Sequence, residues 1–232
     1  MAPIHIYANW NKRSADSDEK VEPYRKYYFI CEGQNTEAWY FQNIIDNKKE
    51  LGIHSLIEIC LMEKTGEDEG VSNPKSLFNL AEREKSNPNN GFDAKHDKMI
   101  IVFDTDIYQT KPQEFRNFYE LAKKEYMLAV TNPSFELFLL LHYKDSLINV
   151  IIPEEEKILA NEKIGNQRYI AKRFSAISGM NSKKNPKVGT LAKKVDIAIE
   201  QEKSINQDAE SALGSLTSNI GRIIEQIRND VG

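Results

Sequence analysis

The sequence predicts an α/β fold, a parallel four-stranded sheet flanked by helices on both faces, followed by a C-terminal helical extension. Three observations lead there. The runs Lys26–Cys31, Leu56–Met62, Met99–Phe103 and Met127–Val130 are short and apolar almost throughout rather than alternating, as strands covered on both faces are. Between them lie segments with helical periodicity, the βα alternation of a parallel sheet. After Ile152 the alternation stops, and helical patterns continue around a basic stretch.

In chain order, residues 1–23 are polar and aperiodic and read as a flexible N-terminal arm. Lys26–Cys31 (Lys-Tyr-Tyr-Phe-Ile-Cys) is the first strand, and Glu32-Gly-Gln-Asn-Thr36 is a turn. A helix follows from Glu37 to about Leu51, its apolar face marked by Tyr40, Phe41, Ile44 and Ile45, with Gly52 at the C-cap position. Leu56–Met62 is the second strand, and Glu63 to Ser72 is a Gly- and acid-rich loop. Asn73-Pro74 opens a helix to about Lys85 by cap and first-turn chemistry. Asn87-Pro-Asn-Asn-Gly91 is a turn cluster. Met99–Phe103 is the cleanest buried strand. Pro112 starts a helix to about Glu125, Met127–Val130 is the fourth strand, and Asn132-Pro133 opens an apolar helix to Tyr143. Residues 24–152 form the α/β core. Residues 153–232 form the extension, with a basic loop at 163–194 and an amphipathic helix from about Thr217 to Ile227 carrying Ile220, Ile223, Ile224 and Ile227.

With 232 residues, 40% hydrophobic and 28% charged, the chain is globular and near the upper size of one core. No run approaches the length of apolar residues that crosses a membrane, and Met1 to Trp10 lacks the apolar stretch of a secretory signal. Cys31 and Cys60 both sit in strand runs and read as free thiols of a reducing compartment. The expected location is cytoplasmic. Net charge is −4, but Lys163 to Lys194 holds nine basic residues and no Asp or Glu, leaving 22 basic and 35 acidic residues elsewhere. A segment purged of acid in so acidic a chain reads as the footprint of a polyanion, nucleic acid first. Its bland alternative is a solvated surface loop. Arg168, Lys172, Arg173, Lys183, Lys184 and Lys187 are the candidate contacts, Lys183, Lys184 and Lys187 on a loop expected to close over substrate.

Two carboxylate clusters follow strands directly: Glu32-Gly33 after Phe29-Ile-Cys, and Asp104-Thr-Asp106 after Ile101-Val-Phe. In open parallel sheets ligands bind beyond the carboxyl ends of the strands. If these strands are neighbours, Glu32, Asp104 and Asp106 meet, and three carboxylates in so small a space call for a cation. Hard oxygen ligands, few in number, suit Mg²⁺, with Mn²⁺ as a substitute. Gly33 lets the chain turn sharply and a phosphate approach the backbone. The helix that follows points its N-terminus at the same edge.

The stretch Phe29-Ile-Cys-Glu-Gly-Gln-Asn-Thr-Glu-Ala-Trp-Tyr-Phe41 resembles the opening of the RloB family, a strand, then Glu-Gly-x-x-Thr-Glu, then an aromatic helix. Val102-Phe-Asp-Thr-Asp106 resembles its Asp-x-Asp strand. Thr131-Asn-Pro-Ser-Phe-Glu-Leu-Phe-Leu-Leu-Leu-His-Tyr143 is similar to its Asn-Pro-x-Phe-Glu signature running into Leu-Leu-His. The likeness runs from Lys26 to Ile227. It implies a TOPRIM-like fold, metal-dependent phosphodiester cleavage and a setting in antiphage defence by abortive infection, with Glu32 as the TOPRIM glutamate and Asp104 and Asp106 as the Asp pair. The family often carries another acid just after that pair; here Ile107 and Tyr108 follow, which leaves one versus two ions open.

Glu136 lies among Phe135, Leu137 and Phe138, where an acid is paired or functional, although the first turn of a helix also favours it. His142 reads as a core histidine, and Asn132 as a helix cap or a carboxylate-orienting group. The expected function is a Mg²⁺-dependent TOPRIM-type endonuclease cutting nucleic acid, RNA such as tRNA or DNA. Asp104 and Asp106 hold the ion, Glu32 acts as acid, base or ligand, and Glu136 joins the catalytic set. A partner defence protein and self-association stay open; a membrane partner is not expected. The alternative is a nucleic-acid-binding or sensor module whose carboxylates hold a structural ion. A haloacid-dehalogenase-like phosphatase also opens with Asp-x-Asp after an apolar strand. Against it, the pair falls on the third strand, and no later strand ends in Gly-Asp or a paired Asp.

Overall fold

The computed structural model describes residues 24–62, 64 and 73–230; the N-terminal arm and most of the acid-rich loop lie outside them. Four parallel strands, β1 (Arg25–Cys31), β2 (Ile57–Leu61), β3 (Lys98–Asp104) and β4 (Met127–Asn132), form the sheet. A fifth strand, β7 (Thr217–Ser218), joins β4 antiparallel, and the spatial order is β2-β1-β3-β4-β7. The expected four-stranded sheet is thus a five-stranded mixed one. The extension supplies the extra strand, which is too short to register as a strand pattern. Its pairing is prolonged by the Asn219 side chain, which accepts from the Val130 N–H at 2.7 Å and donates to the Leu128 carbonyl at 2.8 Å.

Alternation along each strand divides the core into two layers. Tyr27, Phe29, Ile100, Val102 and Ala129 face one way; Tyr28, Ile30, Met99, Ile101, Phe103, Leu128 and Val130 face the other. The first layer is covered by α1 (Thr36–Asp46) through Tyr40, Phe41 and Ile44, and by α4 (Glu136–Leu140). The second is covered by α2 (Pro74–Ser86) and α3 (Pro112–Ala122) through Leu77, Leu80, Phe115 and Phe118. After α5 (Glu155–Ala160) come a small hairpin of β5 (Lys163–Ile164) and β6 (Gln167–Arg168), then α6 (Tyr169–Ser178), a 3₁₀ stretch Pro186–Lys194, α7 (Val195–Glu202) and α8 (Ile220–Asn229). No helix among the described residues is long and apolar enough to cross a membrane.

The basic segment departs from expectation. It is no loose loop, because it inserts Ile170, Phe174, Val188, Leu191 and Ala192 into the first core layer, all buried. Each large side chain so buried contributes roughly 1.5–3 kcal/mol, which outweighs the flexibility suggested by its glycines and asparagines. Its 3₁₀ stretch lies on α1 so closely that a Cβ on Gly189 would sit 2.4 Å from the Trp39 carbonyl oxygen. The apolar helix expected from Asn132-Pro133 is shorter, Glu136–Leu140, and Thr131 and Asn132 finish β4 instead. Asn132 caps no helix. Its side-chain Oδ1 accepts from Thr105 Oγ1 (2.6 Å) and Gln109 Nε2 (2.5 Å), and its Nδ2 donates to the Ala212 and Ser215 carbonyls. His142 is a core residue, bonded to the Tyr40 hydroxyl and the Phe138 carbonyl, each at 2.9 Å.

Candidate active site

The sheet order sets the site. From β1 the chain moves to β2 on one side, then crosses back to β3 and β4 on the other. α1 covers one face, α2 and α3 the opposite one. The loops leaving β1 and β3 therefore part in opposite directions and open a crevice at the carboxyl ends, the switch point where such sheets bind ligands. Parallel register sets Cys31 beside Val102, so Glu32, one residue on, reaches across, and the Asp104 N–H donates to Glu32 Oε2 at 3.0 Å. Thr131, opposite Asp104 on β4, donates its hydroxyl to Asp104 Oδ1. Glu32 and Asp104 meet as expected. Asp106 begins the short 3₁₀ turn Asp106–Tyr108 and stands exposed beside them.

Glu136 comes to the same place from α4. It is 3% exposed and accepts from Ser134 Oγ (2.6 Å) and Ser182 Oγ (2.7 Å), with Lys183 Nζ at 4.0 Å from its Oε1. A fifth acid, Glu37, joins the site, although the sequence reading gave it no role of its own. It lies in the first turn of α1, buried, with Oε2 lacking a hydrogen bond. Gly33 makes room for it, since a Cβ there would fall 1.9 Å from Glu37 Oε2. An acid in a first helical turn is commonplace, so residue type alone does not distinguish it. Its place in the Thr36-Glu37 pair, two residues beyond Glu32-Gly33, is the available signal.

Burial pushes the Glu32 carboxyl up to about 7; the Asp104 amide resists this, while Asp106 and Glu37 add to it. Burial likewise raises Glu37, and it carries Asp104 well above the carboxylate range with help from Glu37, Glu32 and Glu136. Burial opposes the charge on Lys183, yet Glu136, Glu37, Asp104 and Glu32 together raise its pKa above the ordinary lysine value. On the other side Lys64 Nζ donates to the Glu32 carbonyl at 2.5 Å. Among the described residues no three carboxylate, imidazole or thiolate side chains already form a cage for an ion. The donor set is nonetheless all hard oxygen, crowded with like charge, and holds one buried acceptor without a hydrogen bond. Its chemistry fits Mg²⁺, which is bound through one or two carboxylates and keeps its waters.

Asp104, Asp106, Ser134 and Glu136 form the floor of a cleft of about 590 Å³. Its wall comes from the β5–β6 hairpin, α6 and the turn at 181–184, and carries Arg168, Lys172, Lys183 and Lys184. Two of the expected contacts are elsewhere. Arg173 donates to Glu154 Oε2 at 2.7 Å, an oxygen that also accepts from the Tyr169 hydroxyl. Lys187 does not line the cleft; it lies in the first turn of the 3₁₀ stretch, where its N–H donates to Asn185 Oδ1 at 3.0 Å.

A mostly parallel α/β sheet with carboxylates gathered at its switch point, under a basic wall, is the class that fold and site define. The chain belongs to the RloB family, whose sequence model, described as RloB-like protein, matches residues 27–227. No curated protein and no solved structure matches it.

Proposed function

We propose that this protein is a Mg²⁺-dependent TOPRIM-type endonuclease that cuts nucleic acid, RNA such as tRNA or DNA, as an antiphage defence effector. The observation that carries the reading is that one and the same cleft has an acidic floor and a basic wall: Asp104, Asp106 and Glu136 below, Arg168, Lys172, Lys183 and Lys184 beside them. An acidic crevice alone repels a polyanion; cations on its rim bring the phosphates in and hold them against the acids. Asp104 and Asp106 would hold the ion, whose chemistry when bound is to polarise the scissile phosphate and offset charge on the leaving oxygen. Glu32, with its carboxyl near 7, is suited to take or return a proton at neutral pH. Ser134 and Ser182 fix the Glu136 carboxylate from both oxygens. The wall reads phosphates, so it implies no sequence preference. The defence setting rests on family membership.

The test is incubation of the purified chain with mixed tRNA, single-stranded DNA and duplex DNA, with and without Mg²⁺ or Mn²⁺. Metal-dependent cleavage that Asp104→Asn abolishes is the expected result. Binding that leaves every substrate intact in both metals would favour a sensor module and sink the nuclease reading.

A further inference from the structure

We propose that the ammonium group of Lys183 fills the place a second divalent ion would take among the site carboxylates, so that this chain holds one ion and not two. The inference rests on the metal-dependent reading above and extends it to ion number. Lys183 is held over the acids by three ties. Ser182 Oγ donates to Glu136 Oε1 at 2.7 Å, Thr36 Oγ1 to the Ser182 carbonyl at 3.0 Å, and Asn35 Nδ2 to the Lys183 carbonyl at 3.1 Å. The turn is thereby pinned both to Glu136 and to the start of α1, which carries Glu37. The side chain enters from the cleft, 58% exposed along its length, and brings Nζ to 4.0 Å from Glu136 Oε1. A lysine ammonium is a compact point charge with three donors, a shape that can neutralise several carboxylates at once.

The donors themselves favour this division. Both oxygens of Glu136 accept a serine hydroxyl, which fixes the carboxylate with Lys183 Nζ at 4.0 Å from its Oε1, so that the ammonium answers its charge where an ion otherwise would. On the opposite side, the residues after the Asp pair offer no further acid. Ile107 is apolar, and Tyr108 is buried with its ring 5.5 Å from that of Phe115, in the core layer behind the sheet. Asp104 and Asp106 are left for one ion, and Lys183 stands against Glu136.

Counting Mn²⁺ alone on the full chain, without substrate, from the free-ion signal in electron paramagnetic resonance tests this. One ion per chain is expected for wild type and Lys183→Arg, and two for Lys183→Met; Lys183→Gln is the second charge-free variant should Lys183→Met fail to fold. One ion in every variant, at any affinity, or two in wild type overturns the inference while leaving a metal-dependent enzyme. No ion bound by any of them overturns the metal-dependent reading and this inference with it.

Discussion

At Asp104 a carboxylate accepts a hydrogen bond from Thr131 while burial and three nearby acids favour its protonated form. Glu32 behaves alike. Because their folded pKa values lie above the unfolded ones, their favourable contribution is complete at pH below the ordinary carboxylate range. It is lost as pH rises, for Glu32 through about 7. In the metal-free protein above neutrality the cluster is therefore a net cost. Asp104→Asn should keep the Thr131 bond, remove a charge and raise metal-free melting at about pH 8 by roughly 2–4 °C for each kcal/mol relieved, while cleavage falls to background. Earlier melting with full activity would make Asp104 a structural residue. Ser182→Ala, which frees one Glu136 oxygen, should lower activity by roughly 10–100-fold, the usual effect of losing an outer hydrogen-bond partner; unchanged kinetics would remove Glu136 from the site. His142 works with the opposite sign. Burial lowers its pKa to about 4, so its contribution is intact above its unfolded value and is lost as pH falls from about 6.5 towards 4, at most about 3 kcal/mol. Urea melts of wild type and His142→Gln should converge over that window, and parallel curves would refute the assignment.

The elements around the cleft work by close approach and by charge. Gly189→Ala would set a methyl against the Trp39 backbone, which has no side-chain freedom to yield. A loss of roughly 1–3 kcal/mol is expected, measured by denaturant melts; a wild-type midpoint would mean that the 3₁₀ stretch is free to shift. On the wall, Arg168→Glu, Lys172→Glu and Lys184→Glu together should weaken binding to every nucleic acid tested. The slope of log affinity against log salt should flatten by roughly 0.7–0.9 for each phosphate that the wall no longer neutralises. Lys187→Glu, outside the cleft, should change the slope much less. Equal effects from Lys187→Glu and the triple variant would place the binding surface elsewhere.

Across the whole molecule, the C-terminal segment is part of the sheet domain. β7 pairs with β4, and α8 buries Ile220, Ile223, Ile224 and Ile227 in the first core layer. Glu202 fastens it, accepting from Ser218 Oγ at 2.5 Å and from the Gly221 and Arg222 amides at the start of α8. Truncation after Glu202 would forfeit on the order of 6–12 kcal/mol from those four isoleucines alone, comparable to the whole stability of a typical domain. An unfolded or insoluble product is expected; a truncated chain with native melting would show the segment to be an appendage.

The local patterns determined much of this protein. Continuous apolar runs marked the four parallel strands, and the placement of Glu32, Asp104 and Asp106 directly after them marked the sheet edge, since a parallel sheet sends every strand's carboxyl end the same way. The isoleucine spacing of the last helix was equally legible. What only the tertiary structure decided depends on partners distant in sequence. Two residues at Thr217–Ser218 carry no strand signal until β4 offers its edge. The basic segment is ordered by apolar residues whose partners lie on α1 and the sheet. Glu37 is ordinary helix-start chemistry until Gly33 and the turn at Ser182–Lys183 enclose it. Periodicity records which face a residue presents; which other face it meets is settled by packing across the chain, and that packing turned five scattered acids and a lysine into one site.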